Sequence, residues 1–400
     1  MMRDFLFLTL LFRLTMSFLP IFKQKIPYPK YCGLISLSIL LHVSCLNVAQ
    51  DRSALEERIG HAQLTPITVS IKDGLASIRK LNFKGESLNL ELWAQAPRLE
   101  INIEYASEEQ SAVSLELHLY NIMSDSQVLL LQDSAEQVVS VEYTSPTLLS
   151  GTLSLQPGRH QIHIIPPQPD SNQSWKFGLF ADVQERLNGV ADLFVPLGQE
   201  NLKFALISGD LTRRGAREEL EEFQRQQLQH LPFPCYATLG NHELGTEGVP
   251  FYHYFGRGSF SFEYGGARFT LIDGASASIA PRTQKSLNLW LDEGIDQLHI
   301  LATHIPLLDP DGTRGGSHAS RLEAAALISE FQAHNLDLLL YGHVHTYRYF
   351  YQAGIPTIIS GGGGSIPMRL DGIGRHYVVF EVNSNRNSLS HLVQRIYPEE

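Results

Sequence analysis

Two spacings of apolar residues divide this chain. From about residue 65 to 168, apolar and polar positions alternate. The clearest segments are Ile67-Thr68-Val69-Ser70-Ile71, Leu88-Asn89-Leu90-Glu91-Leu92, Leu99-Glu100-Ile101-Asn102-Ile103 and Val113-Ser114-Leu115-Glu116-Leu117-His118-Leu119, and Val138 to Val141 and His160 to Ile165 continue the series. A period of two puts successive side chains on opposite faces of a strand, so these segments predict half-buried antiparallel strands. With little 3.6-residue periodicity between them, residues 65–168 are expected to form an all-β sandwich of roughly seven strands. The proline-rich, polar stretch that follows, through residues 169–175, predicts a stiff linker. From Trp175 onward the pattern changes to short unbroken apolar runs separated by helical periodicity. Helices are predicted at Gln184 to Gly198, Arg213 to Gln229, Thr283 to Asp292 and Ala319 to His334. Alternation of this kind predicts an α/β domain over residues 176–398. Hairpin-like strands at Ser259 to Tyr264, Ala267 to Asp273 and His376 to Val382 predict sheets that are not purely parallel.

The apolar runs of the second region end in a recurring way. Phe177-Gly178-Leu179-Phe180-Ala181 leads into Asp182-Val183-Gln184, and Phe204-Ala205-Leu206-Ile207-Ser208 leads into Gly209-Asp210. Phe233 to Ala237 leads into Thr238-Leu239-Gly240-Asn241-His242-Glu243. Ile300 to Thr303 leads into His304, and Leu338 to Tyr341 leads into Gly342-His343-Val344-His345. Residues just past the ends of strands project into the crevice where α/β proteins place their chemistry. Singly, each feature has an ordinary explanation: Gly-Asp after a strand is usually a turn, and a lone Thr-His is usually a satisfied histidine. Together the five strand ends supply two Asp, one Asn and four His, a donor set suited to divalent metal. Asp210 has two oxygens to share between ions, and Gly209 beside it allows close approach. Asn241 offers an amide oxygen, and His304, His343 and His345 offer imidazoles. His242 is left to act on substrate as a general acid.

Composition narrows the function further. The 400 residues are 43% hydrophobic and 18% charged, with a net charge of −11. That is globular composition with chain enough for two or three domains. An acidic chain lacks the basic tracks that bind nucleic acid polymers, whereas a small phosphorylated substrate remains compatible because bound cations reverse the local field. The three cysteines, Cys32, Cys45 and Cys235, leave only one in the folded region, so no internal disulfide framework is expected. Residues 1–50 read as a signal or targeting segment, with apolar stretches at Phe5 to Phe22 and Tyr31 to Leu46 around Lys23, Lys25 and Lys30. The expectation is an exported, periplasmic or cell-envelope protein. Three fates of the leader stay open: cleavage near Ala49, lipidation at Cys45 within Leu40-Leu41-His42-Val43-Ser44-Cys45, or retention as a membrane attachment. The sequence is silent on oligomeric state.

The series Asp182-x-Gln184, Gly209-Asp210, Gly240-Asn241-His242-Glu243, His304 and Gly342-His343-x-His345 resembles the calcineurin-like metallophosphoesterase superfamily. The resemblance implies a four-layer α/β fold, two β-sheets flanked by helices, here preceded by the β-sandwich. It also implies hydrolysis of phosphate mono- or diesters by water activated between two divalent metal ions (Mn, Fe or Zn). Carried over by position, Asp182, Asp210 and His345 would hold the first metal, and Asp210, Asn241, His304 and His343 the second. His242 would contact phosphate and protonate the leaving oxygen. Ser360 to Gly364 is similar to a glycine-rich turn near such sites, for which a tight turn and a phosphate contact are both open readings. Gln184 departs from the pattern by standing where the family commonly has histidine; as a candidate ligand of the first metal it would offer a neutral amide oxygen in place of an imidazole, which predicts altered metal preference. Gly209-Asp210-Leu211-Thr212 lacks the tyrosine that purple acid phosphatases carry nearby and is closer to the cyclic-nucleotide phosphodiesterase branch. In the loop after His304, Arg314 and His318 are candidates to grip substrate. The alternative is a non-catalytic envelope binding protein whose metal domain is degenerate at Gln184.

Overall fold

The computed structural model describes residues 48–396 apart from 108–110, 133–134, 171–172, 313–315, 369–371 and 384–387. The leader with Cys45, and Arg314, therefore lie outside the described residues. No helix among the described residues is long and apolar enough to cross a membrane.

The described chain opens with helix α1 (Ala49–Glu56) and strand β1 (His61–Leu64). Next come β2 (Ile67–Ile71), β3 (Ala76–Lys84), β4 (Ser87–Ala94), β5 (Leu99–Tyr105), β6 (Val113–Tyr120), β7 (Gln127–Gln132), β8 (Ala135–Val138), β9 (Val141–Ser145), β10 (Leu148–Leu155) and β11 (Gly158–Ile165). They form two sheets, ordered β1-β2-β5-β11-β7-β8 and β3-β4-β6-β10-β9. Alternate residues such as Ile67, Val69, Leu90, Leu92, Ile101, Leu115 and Leu117 fill the core of this sandwich. It has more strands than the roughly seven that periodicity suggested. Runs such as Val128-Leu129-Leu130 in β7 are buried continuously and escape a period-two count. The expected strand at Val138 to Val141 is the corner at which the chain leaves β8 in one sheet and enters β9 in the other.

The second region contains β12 (Trp175–Phe180), α2 (Ala191–Gly198), β13 (Phe204–Ser208), α3 (Arg217–His230), β14 (Cys235–Thr238) and α4 (Phe251–Tyr254). It continues through β15 (Phe260–Tyr264), β16 (Ala267–Ile272), α5 (Pro281–Gly294), β17 (Leu298–Thr303), α6 (Arg321–Ala333) and β18 (Leu338–Tyr341). It ends with β19 (Tyr347–Gln352), β20 (Ile355–Ser360), β21 (His376–Asn383) and β22 (Ser388–Arg395). One sheet runs β14-β13-β12-β21-β22 and the other β15-β16-β17-β18-β20-β19. Within each sheet the strands around the site run parallel to one another: β12, β13 and β14 in the first sheet, β16, β17 and β18 in the second. They are buried on both faces, which is why they read as unbroken apolar runs. Between the sheets lies an aromatic core in which Phe177 stacks on Phe380 with ring centroids 4.6 Å apart and Phe204 meets Phe269 edge-on at 5.1 Å. Helices α2 and α3 cover one outer face and α5 and α6 the other, giving four layers.

Local chemistry explains the helix boundaries. The helix expected from Gln184 begins as a tight 3₁₀ segment over Gln184–Gly189, and the α-helix starts only at Ala191. Helix α3 starts at Arg217, after a turn held by the Glu219 carboxylate, which accepts the N–H groups of Arg214 (2.9 Å) and Ala216 (3.3 Å). Pro281 opens α5, and the Ser320 hydroxyl caps α6 by accepting the Glu323 N–H at 3.2 Å.

The sandwich is fastened to the α/β region by buried polar contacts. Asn121 donates to the Cys235 carbonyl (2.7 Å) and accepts from the Cys235 N–H (2.8 Å), extending the edge of β14 as another strand would. Gln95 does the same with the backbone of Arg257, at 2.6 Å in each direction. Trp93 packs among the α/β residues, with the Arg79 guanidinium 4.3 Å above its ring. Helix α1, which begins where the leader was expected to end, docks onto the same body. Arg52 is fully buried and forms a bidentate pair with Asp273 (2.7 and 2.9 Å), just past the end of β16. Glu56 accepts the Gly258 N–H at 2.8 Å.

Two outcomes are expected. Arg52→Ala leaves the Asp273 charge buried without its partner and should cost about 3–5 kcal/mol of stability in urea unfolding, whereas Arg52→Met combined with Asp273→Leu should recover most of it. His299, buried in β17 with Nε2 2.8 Å from the Thr270 hydroxyl, is pushed down to about 3 by burial, with the Arg268 charge adding to it. The unfolded chain takes up that proton first, near the ordinary histidine value of about 6.5. The contribution of His299 is therefore full above that pH and lost as pH falls toward 3. Replacing it by Asn should flatten this acid limb, measured as urea midpoints at pH 7 and pH 4.

Candidate metal centre

The five strand ends singled out by the sequence converge. Asp182 follows β12, Asp210 follows β13, Asn241 and His242 follow β14, His304 follows β17, and His343 and His345 follow β18. Both sheets thus present the C-terminal ends of parallel strands to one crevice. One ligand atom each from Asp210, His304 and His343 lie within 4.8 Å of one another. The His304 Nε2 stands 3.3 Å from Asp210 Oδ2 and 3.1 Å from Asn241 Oδ1. On the other side, His345 Nε2 lies 3.4 Å from Asp182 Oδ1. Asp182, Asp210 and His304 are completely or almost completely buried, and His242 is half-buried.

The hydrogen bonds fix which imidazole nitrogen faces the crevice. His304 Nδ1 lies 2.7 Å from the Ser208 carbonyl, His345 Nδ1 is 3.0 Å from the Ile366 carbonyl, and His242 Nδ1 is 2.6 Å from the Arg213 carbonyl. A carbonyl only accepts, so each Nδ1 carries a proton and each Nε2 is turned inward. This backbone support behind the imidazole is the usual way a metal-ligating histidine is held. For His304 it has an electrostatic consequence. Its Nε2 faces Asp210 and Asn241 oxygens, and an arrangement of that kind calls for a positive charge. Burial alone would lower the affinity of His304 for a proton, but the Asp210 carboxylate outweighs it and holds the group up at about 9. Burial would likewise raise Asp210, and His304 instead holds it far below the ordinary carboxylate range. A divalent cation fits where that proton sits, among hard oxygens and neutral imidazoles.

The carboxylates also shape the loops around them. Asp182 Oδ2 accepts the His343 N–H at 2.9 Å, and Asp210 Oδ1 accepts the His242 N–H at 2.9 Å. Asp182, Gln184, Asp210 and His343 all have positive φ (61°, 43°, 55° and 66°), a conformation that non-glycine residues rarely adopt. Strain of this kind gathers where function demands a particular side-chain direction. Gly240 has no alternative, because a Cβ there would lie 2.1 Å from Asp210 Oδ1.

Three features were not assigned correctly, or at all, by the sequence. Glu243 is fully buried and binds the backbones of two site loops. Its Oε2 accepts the N–H groups of Asp210 and Gly240, both at 2.9 Å, and its Oε1 accepts the Thr212 N–H at 3.1 Å and the Thr212 hydroxyl at 3.2 Å. Its position beside His242 was the only available signal. The Gly361–Gly364 run has a packing role that the sequence did not show. A Cβ at Gly363 would lie 2.4 Å from the Ala181 carbonyl and one at Gly364 would lie 2.3 Å from the Val183 carbonyl, so the run packs backbone to backbone against the Asp182 loop. His318 is buried with Nε2 2.9 Å from Glu323 Oε2, and its N–H closes the base of the loop on the Pro306 carbonyl at 2.9 Å. It anchors that loop.

Residues 176–347 match the family model described as calcineurin-like phosphoesterase. Among solved structures, the chain is similar to a purple acid phosphatase from yellow lupin (Lupinus luteus) seeds, with 14% identity, 76% of this chain and 71% of that chain covered, and a TM-score of 0.51. It is also similar to a dimetal phosphatase from Danio rerio, with 12% identity, 56% of this chain and 99% of that chain covered, and a TM-score of 0.43. No curated protein matches the chain. The lupin likeness supports the fold alone, and its coverage extends beyond the α/β region into the N-terminal β-sandwich. Strand ends, donor set and family match agree on one stretch: residues 176–347 carry the pattern of a calcineurin-like phosphoesterase domain.

Proposed function

We propose that this protein hydrolyses phosphate mono- or diesters of a small exported-compartment substrate at a dinuclear metal centre. The observation that carries the reading is the inward-facing donor set at the five strand ends, above all the Asp210–His304–His343 cluster. Asp182, Asp210 and His345 would hold one ion, and Asp210, Asn241, His304 and His343 the other. Bound there, two such ions would neutralise the phosphate oxygens and supply a deprotonated water at neutral pH. The signal-like pattern of residues 1–50 supports a periplasmic or cell-envelope location, with membrane attachment through that segment as part of the proposal.

The chain's own residues supply the rest. Asp210 Oδ2 lies 3.3 Å from His304 Nε2, and Glu243 fixes the Asp210 backbone. His242 keeps its Nδ1 proton on the Arg213 carbonyl, so Nε2 is the atom that can carry a proton to a leaving oxygen. That Nε2 is 3.9 Å from Asp210 Oδ2, at the half-exposed rim where a substrate enters. Burial of the carboxylates and of His304 keeps water from competing for the donors.

Hydrolysis of p-nitrophenyl phosphate or bis-p-nitrophenyl phosphate is expected in Mn²⁺ and should be abolished by chelator; absence of both activities across Mn²⁺ and Zn²⁺ would favour the degenerate, non-catalytic alternative. His242→Ala should lower kcat by about 10²–10⁴ with metal content unchanged. Binding of Mn²⁺ at pH 7 should release a proton from His304, because the metal-free group holds it up to about 9. Affinity should therefore rise with pH toward that value and level off above it, read by calorimetry in buffers of different ionisation enthalpy.

A further inference from the structure

Gln184 is held from both ends. Its Nε2 donates to Asp210 Oδ2 at 2.5 Å, and its Oε1 accepts from the Ser365 hydroxyl at 2.5 Å. Both partners are buried, and Gln184 itself is 3% exposed. The orientation of this amide follows from chemistry. The amide nitrogen lies against a carboxylate oxygen, which accepts, and this turns the amide oxygen to Ser365 and makes that hydroxyl the donor. The opposite orientation would set Oε1 against Asp210 Oδ2, two oxygens with no proton between them.

The surrounding backbone leaves Ser365 little freedom. Its N–H donates to the Asp182 carbonyl at 2.8 Å, and the Gly363 N–H donates to the Ala181 carbonyl at 2.9 Å. The glycine run therefore carries Ser365 to Gln184, and the close packing of Gly363 and Gly364 fixes the distance. An amide nitrogen has its lone pair delocalised and is not a metal ligand. As oriented, Gln184 supports Asp210 and contributes no donor to an ion.

Resting on the proposed dinuclear centre, we propose that Ser365 is a positioning residue that locks the Gln184 amide away from the cation, so that the two ions bind with unequal affinity. The position built on Asp210, Asn241, His304 and His343 has four protein donors and fills first. The position built on Asp182, Asp210 and His345 has three and fills later. The Gln184–Ser365 pair thus sets the metal concentration at which the centre becomes complete.

The test is a calorimetric Mn²⁺ titration of the metal-free full chain, with metal analysis and no substrate. The wild-type protein should bind one ion tightly and a second about tenfold or more weakly. Gln184→Glu is nearly isosteric and adds an oxygen ligand; it should tighten the second event about tenfold and leave the first within about threefold. Ser365→Ala frees the amide to turn its oxygen toward the ion and should also tighten the second event alone, whereas Ser365→Thr, which keeps the hydroxyl, should bind as wild type does. Two equal events in the wild type, or an unchanged second event in Gln184→Glu, would overturn the proposal while leaving the dinuclear centre standing. An unchanged second event in Ser365→Ala, or a Ser365→Thr variant that behaves like the alanine, would remove Ser365 from the role. A wild-type chain that binds no ion would overturn the metal reading itself.

Discussion

Two buried carboxylates at strand ends organise the whole catalytic side of this molecule. Asp182 and Asp210 are almost entirely out of water, and an ionised carboxylate there costs several kcal/mol unless donors surround it. The donors come from distant parts of the chain. Asp182 takes the N–H of His343, and Asp210 takes the N–H of His242 and the amide of Gln184. Satisfying each charge closes a loop, and each closed loop carries another polar side chain into the crevice. The convergence of residues between 182 and 345 is therefore a result of compensating charge as much as of sheet topology.

That arrangement is strained, and the strain is stabilised elsewhere. Non-glycine residues in the left-handed region cost about 1–3 kcal/mol each, and four of them lie at the site. They hang from short strands whose rings interlock between the sheets: Phe177 on Phe380, Phe204 against Phe269, Phe262 on Phe269. Aromatic contacts of this kind contribute beyond the area they bury. A firm core beneath the strand ends allows the loops above to hold conformations that they would not adopt alone. Glu243 does similar work at shorter range. Burial, and then the charge of Asp210, push its carboxyl up, yet four donors converge on it, and through them the Asp210 and Gly240 backbones are tied together.

The legible parts of the sequence were those in which one physical rule dominated. Strands β12, β13, β14, β17 and β18 are buried on both faces, so their apolar runs stood out, and polar residues at their ends marked the crevice. The sandwich was legible as alternation, but its strand count was not, because β7 is buried continuously and the chain turns a corner between Val138 and Val141. What was missed depended on distant partners. Arg52 looks like a surface residue until Asp273 is placed against it, and Ser365 looks like loop filler until the glycine run packs on the Asp182 backbone. The glycines themselves were visible, but a period or a propensity says nothing about which carbonyl a missing Cβ makes room for.

The sandwich and α1 extend the same argument outward. Asn121 pairs with both backbone groups of Cys235, the first residue of β14, and Asn241 and His242 follow the other end of that short strand. Thr238, its last residue, donates to the Gly258 and Ile272 carbonyls at 2.7 and 3.1 Å, which ties β14 to the end of β16. There Asp273 receives Arg52 from α1, and Gly258 receives Glu56. The strand that positions the proposed general acid is thus held at one end by the sandwich and at the other through contacts that reach α1. A β domain attached through such directional, buried bonds cannot swing as a free recognition arm. It acts as a brace, and the exact registration of β14 against both neighbours is what it protects.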